Sequence, residues 1–152
     1  MSYDSRPETY EHIGVVRALL TSVVCELLDR AQGHDASKLV NPELSTFDEY
    51  TPMLRESTFG SDEYKGFLQG MGTGLKHHYA HNRHHPEHYA EGIAEMNLLD
   101  LIEMICDWMA ATRRHADGDI RRSLELNQER FGYSDELKRI LNNTVSAIED
   151  RG

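Results

Sequence analysis

Six of the nine histidines in this chain, His77, His78, His81, His84, His85 and His88, fall within twelve residues. Imidazoles at helical spacing, such as His77/His81 and His78/His81, suit ligation of a transition metal or contact with a phosphate. Six side chains so close together cannot all be ligands. His78 continues the helical face traced by Tyr64, Phe67, Leu68, Met71 and Leu75, and His85 is carried back by the turn before Pro86, so these two are the expected ligands. His81 and His84 stand in reserve, and His77 and His88 are expected at the surface. A second candidate is His34-Asp35, whose imidazole and carboxylate reach one cation only where the backbone bends between them. The third is a set of acids, Asp100, Glu103 and Asp107, which share one helix face and repel one another. Asp107 sits in the apolar run Ile105-Cys106-Asp107-Trp108-Met109, where an uncompensated carboxylate is costly to bury and a divalent cation would relieve the cost. Asp100 is the alternative to Asp107. Imidazole and carboxylate together admit Mn, Co, Ni, Zn or Fe.

Helices must position these groups. Pro7-Glu8 reads as a first turn, and Ile13, Val16, Leu20, Val23 and Leu27 then recur at helical spacing until Gln32-Gly33. His12 shares an edge with Val16, Leu19 and Val23 and is expected to border a buried stripe. His34 to Leu39 is a short element that Asn41-Pro42 interrupts, and residues 43–60 are less regular. Ser61-Asp62-Glu63 starts a helix running to His78. Gly66, Gly70, Gly72 and Gly74 imply either a broken helix there or close packing against a neighbouring backbone or ligand. A short helix from Pro86 to Gly92 follows, then a strong one from Asn97 to His115 with a core face of Leu98, Leu99, Ile102, Ile105 and Met109. A weaker helix over 119–130 precedes one that Ser134-Asp135-Glu136 starts and that carries Leu137, Ile140, Leu141, Val145 and Ile148. With no alternating strand pattern and no repeat, the expectation is an all-α, single-domain helical bundle over 1–152.

Composition narrows the function. A chain of 152 residues with 39% hydrophobic and 28% charged residues is globular in composition and long enough for one core. Its net charge of −10 excludes a broad electropositive face for duplex nucleic acid or anionic lipid, while leaving room for a small anionic substrate met by local cations. No apolar run is long enough to span a membrane, and the first twelve residues carry no export signal, so a cytoplasmic protein is expected. Cys25 and Cys106, each within an apolar helical pattern, are expected to be buried free thiols. A homo-oligomer is compatible with this reading.

The order of His12, then His34-Asp35 with Lys38 beyond it, then the histidine tract, then Asp107, resembles the HD-domain superfamily of all-helical, metal-dependent phosphohydrolases. More narrowly, the chain is similar to a small family of bacterial and phage proteins, the domain of unknown function 5662. That similarity lies in His34-Asp35-Ala36-Ser37-Lys38, Pro42-Glu43, Asn82-Arg83-His84-His85-Pro86-Glu87 and Glu103-Met104-Ile105-Cys106-Asp107-Trp108, and covers about 12–111. The resemblance implies a first metal held by His12, His34, Asp35 and Asp107, and a second held by His78 and His85. The GYP sequence of cyclic dinucleotide phosphodiesterases is absent, which argues against that substrate class. A metal-activated water beside a cation that neutralises phosphate oxygens is the chemistry of phosphoester hydrolysis. The expected activity is therefore hydrolysis of a nucleotide or small phosphoester, with Lys38 contacting phosphate and Glu103, or else Glu87, relaying a proton. Some HD-fold proteins hold two irons and activate oxygen, and a regulatory protein that binds a metal or nucleotide without turnover is the third reading.

Overall fold

Pro7 in the first turn and Arg30 bound to Glu26 (2.9 Å) in the last frame the first helix, α1, Arg6–Gly33. The computed structural model describes residues 3–58, 60–114 and 118–151, all helix, turn or irregular chain with no strand among them. Contacts divide the chain into two units, Met1–His34 and Asp35–Gly152. The first consists of α1, none of whose residues is buried. The buried stripe expected along it is therefore absent: Ile13, Val16, Leu20 and Val23 are exposed, as is His12. A single helix has no second layer within its own unit against which to bury a face. Cys25 on α1 is exposed, and so is Cys106 in the second unit, so neither is the buried thiol expected; both are free.

The second unit opens with a turn of 3-10 helix, Ala36–Leu39. The segment read as irregular is instead a regular helix, α2, Glu43–Glu56, with Pro52 inside it. Its less exposed face, Glu43, Thr46, Phe47, Tyr50, Met53 and Leu54, has helical spacing but begins with the polar Glu43 and Thr46, so apolar periodicity does not mark where it starts.

The glycine-rich stretch is a broken helix, one of the two readings of its sequence, and the close packing it also shows is against side chains and not a backbone or ligand. It breaks at Met71 into α3, Asp62–Gly70, and α4, Gly72–His81, with Gly72 at φ +44°. Two of its glycines also answer to close packing on α2. A Cβ on Gly74 would lie 2.6 Å from the Cβ of Thr46, and one on Gly70 would lie 2.7 Å from the Tyr50 hydroxyl.

Short 3-10 turns at Pro86–His88 and Gly92–Glu95 replace the expected Pro86 to Gly92 helix and lead to α5, Leu98–Thr112. The Asn97 side chain accepts from the Leu99 and Asp100 amides (2.9 and 3.0 Å), and Asp100 accepts from the Asn97 amide (2.9 Å). This reciprocal cap satisfies amide groups that a helix start otherwise leaves open. It also sets the phase of α5: Asp100, Met104, Ile105 and Met109 are buried, whereas Leu98, expected in the core, is 75% exposed. The expected end of this helix, His115, lies outside the described residues. Asp119 caps α6, Ile120–Phe131, which stops at Gly132 in the left-handed region (φ +67°). Ser134 caps α7, Asp135–Glu149. The core lies among α5, α6 and α7: Met104, Ile105, Met109, Ile120, Leu124, Tyr133, Leu141 and Val145, with Trp108 and Phe131 packed on it. Each such aliphatic side chain, fully buried, contributes roughly 1.5–3 kcal/mol. Among the described residues no helix is long and apolar enough to cross a membrane.

Two alanine substitutions separate the causes of the glycines. A Cβ on Gly66 in α3 would meet nothing within 4 Å, so Gly66→Ala is expected to stabilise by about 0.5–1 kcal/mol. Gly74→Ala is expected to destabilise, because overpacking costs about 1–3 kcal/mol and exceeds the helix-propensity gain. Urea denaturation of both variants checks the opposite signs.

Candidate metal centre

His34 closes α1 in extended geometry (φ −52°, ψ 124°), and Asp35 adopts the left-handed region (φ +57°), which aspartate tolerates better than most residues. Within the second unit, Asp35 meets histidines from both sides of the α4 terminus. His78 belongs to the last turn of α4, and His84 and His85 follow in the loop that Asn82 opens. Asp35 Oδ1 lies 3.4 Å from His78 Nε2 and 3.5 Å from His84 Nε2. The His78 and His85 Nε2 atoms are 2.9 Å apart. Asp35, His78, His84 and His85 thus each offer a ligand atom within 4.8 Å of the others, with His78 and His84 buried.

Carboxylates stand behind two of these rings. Glu43, at the first position of α2 and fully buried, has Oε2 2.9 Å from His78 Nδ1 and Oε1 2.7 Å from His77 Nδ1. The Ser37 hydroxyl donates to the same Oε2 (2.9 Å). Glu103 Oε1 on α5 lies 3.1 Å from His84 Nδ1. Phe47 packs edge-on against His78 (5.5 Å between centroids), and Tyr79 tilts against His85 (5.0 Å).

The expected site residues divide as follows. Asp35, His78 and His85 come together, and His84, held in reserve, joins them. Asp107 brings a carboxylate oxygen within 4.8 Å of one on Asp35. Asp100 is committed elsewhere: besides capping α5 it accepts from the Tyr89 hydroxyl (2.8 Å) and faces Arg83 (3.4 Å). Lys38 Nζ is 2.5 Å from Asp35 Oδ2 and lies over the Phe47 ring. His12 and His34 belong to the Met1–His34 unit. His77, expected at the surface, is half-buried on Glu43, while exposed His81 stacks on it (3.9 Å). His88 is half-buried and bonds the Tyr79 carbonyl (2.9 Å). Glu43 is the participant to which the sequence analysis gave no role, although Pro42-Glu43 is among the stretches that carry the family similarity. It lies 34 and 35 residues from its two histidines, and a lone acid at a helix start carries no signal of such a pairing.

The electrostatics favour ligation. Burial, reinforced by His84 and His78, pushes the His85 imidazole down to about 3, against the pull of Asp107 and Asp35. Burial and the Lys38 charge also lower His78, with Asp35 and Glu43 opposing. Burial by itself raises Glu43, but hydrogen bonds with His77, Ser37 and His78 outweigh it and hold the carboxyl below its ordinary range. Neutral imidazoles beside an ionised carboxylate are the protonation states that a divalent cation requires.

Over residues 1–149 the chain matches the family model described as "Family of unknown function (DUF5662)". The chain belongs to this family. The DUF5662 match takes in α6 and α7, which the similarity read from the sequence left outside at 12–111. No curated protein and no solved structure matches the chain.

For this DUF5662 chain the depressed imidazoles dictate a pH dependence in chelator. Unfolded His85 titrates near its ordinary value of about 6.5, and folded His85 only near about 3. As pH falls the unfolded chain takes up the proton first. Its contribution to stability is full above about pH 6.5 and is lost towards pH 3, by up to about 1.4 kcal/mol per pH unit. Urea denaturation between pH 7 and 5 is expected to show this loss, and His85→Gln to reduce the slope by one proton.

Proposed function

We propose that the protein is a divalent-metal-dependent phosphohydrolase of the HD type, acting on a nucleotide or another small phosphoester. The observation that carries this reading is the convergence of three imidazole nitrogens on the Asp35 carboxylate, with His78 and His84 backed by carboxylates. The donor set fits a metal on geometry. The separations of 2.9, 3.4 and 3.5 Å are close to those of donors that share one cation, about 3.0–3.4 Å for bonds of ~2.1 Å.

Asp35, His78, His84 and His85 would hold the cation, with Asp107 beside Asp35 extending the set. A bound Mn, Co, Ni, Zn or Fe would polarise phosphoryl oxygens and lower the pKa of a coordinated water. Asp35 and Asp107 supply the negative charge that balances a dication, and Tyr79 and Phe47 shield the imidazoles from water. Lys38 is placed to exchange Asp35 Oδ2 for a substrate phosphate oxygen, which would give the ester a local cation in a chain of net charge −10. That overall charge disfavours a polyanionic polymer as substrate. Glu103, which has one oxygen on His84, would relay the proton.

A histidine-rich set with neighbouring acids also suits iron, so the di-iron oxygenase is the second reading. Elemental analysis of the purified protein is expected to find one or two divalent metals per chain, and Asp35→Ala to lose them. Phosphate or pyrophosphate release from a nucleotide panel should depend on that metal. Asp107→Asn should lower the rate by at least about tenfold to a hundredfold with circular dichroism unchanged. Protein that carries stoichiometric Mn, Co or Ni without turning over any nucleotide, and consumes oxygen when loaded with iron, is an oxygenase.

A further inference from the structure

We infer that Glu43 and Glu103 are positioning residues, which hold His78 and His84 as their Nδ1–H tautomers so that both Nε2 lone pairs face Asp35. This rests on the metal-site reading above, but the His78 tautomer itself follows from a count of donors and the His84 tautomer from distance. The Asn82 amide has two hydrogens, directed at Ser37 Oγ (2.8 Å) and at the His78 backbone carbonyl (2.8 Å). With both used, the amide has none to give His78 Nδ1, although the atoms approach to 3.0 Å. The reversed amide is unfavourable, because it would set its oxygen against that same carbonyl. The Ser37 hydroxyl, accepting from Asn82, spends its own hydrogen on Glu43 Oε2 (2.9 Å). An ionised carboxylate can only accept, so the 2.9 Å contact between Glu43 and His78 needs a proton on Nδ1. In the neutral ring Nε2 then carries the lone pair.

On α5 the closer approach decides: Glu103 Oε1 lies 3.1 Å from His84 Nδ1, against 3.5 Å from Asp35 Oδ1 to its Nε2, which makes Glu103 the acceptor from Nδ1–H. The two rings, anchored on different helices, aim Nε2 at the same oxygen of Asp35 from 3.4 and 3.5 Å. A carboxylate on one ring nitrogen fixes the ring's orientation and raises the donor strength of the other. His77 adds a latch: its Nδ1 occupies the second oxygen of Glu43 at 2.7 Å and resists rotation of the carboxylate away from His78.

The test uses the full chain with Zn2+ as probe. In metal-free protein, 15N NMR of the ring nitrogens is expected to find His78 and His84 as Nδ1–H tautomers. Zn2+ affinity, measured by competition with a chelator, should fall about 10- to 100-fold in Glu43→Gln and in Glu103→Gln. Each variant should also lose the Nδ1–H preference of its own histidine and not of the other. A merely structural role would not move the tautomers one at a time. His77→Ala should leave the His78 tautomer in place. Wild-type His78 and His84 found as Nε2–H tautomers overturn the inference, as does unchanged affinity in a folded Glu43→Gln or Glu103→Gln. If Glu43→Gln does not fold, the Glu103→Gln arm decides. Nδ1–H tautomers in a wild-type protein that takes up no metal uphold the role of the two carboxylates and overturn the metal-site reading alone.

Discussion

The carboxylate of Glu43 is buried among groups that must satisfy it, and much of the candidate site follows from how they do so. A charge taken out of water costs several kcal/mol unless good geometry restores its interactions. Here His77, His78 and Ser37 provide them. The requirement ties three stretches of chain together: the 3-10 turn that carries Ser37, the start of α2, and the last turn of α4. Glu43 also occupies the first turn of α2, where the helix dipole favours an anion. Residues near the ends of these elements are thereby held in fixed directions, and Asp35 and His78 are among them.

Close approach of α2 and α4 is the geometric side of the same constraint. Gly74 lets Thr46 come within a distance that no Cβ would permit, and the approach brings Glu43 to the far end of α4. A helix interior ordinarily disfavours glycine. At this position its missing side chain is what allows the acid and the histidines to meet.

The three acids of α5 show how identical chemistry acquires different roles by phase. Asp100 falls at the helix start and is consumed by the cap, Tyr89 and Arg83. Glu103, one turn on, reaches His84. Asp107, one turn further, reaches the neighbourhood of Asp35. Mutual repulsion along one face, foreseeable from the spacing, is relieved because each carboxylate faces different surroundings. The core of α5, α6 and α7 supports this alignment from behind, with Met104, Ile105 and Met109 buried beside the acids.

Local chemistry made much of this readable in the sequence. Proline placement and caps marked the starts of α1, α3 and α7, and apolar periodicity marked α5, because those signals act within a few residues of the ones that carry them. The apolar face leading to His78 pointed that side chain inward, and the turn before Pro86 pointed to His85. Other features depended on partners distant in the chain. The start of α2 was hidden because its inward residues there, Glu43 and Thr46, are polar and become intelligible only with the histidines and Gly74 opposite them. His84 entered the cluster, and Asp100 was withdrawn from candidacy, through contacts with α5 and Tyr89 that no spacing rule encodes. Sequence by itself determined which chemical groups were available and most of the helices that carry them, since both are matters of residue type and local periodicity. Tertiary structure alone decided which histidine nitrogens face Asp35 and which face a carboxylate, because that choice is made by hydrogen bonds between residues tens of positions apart.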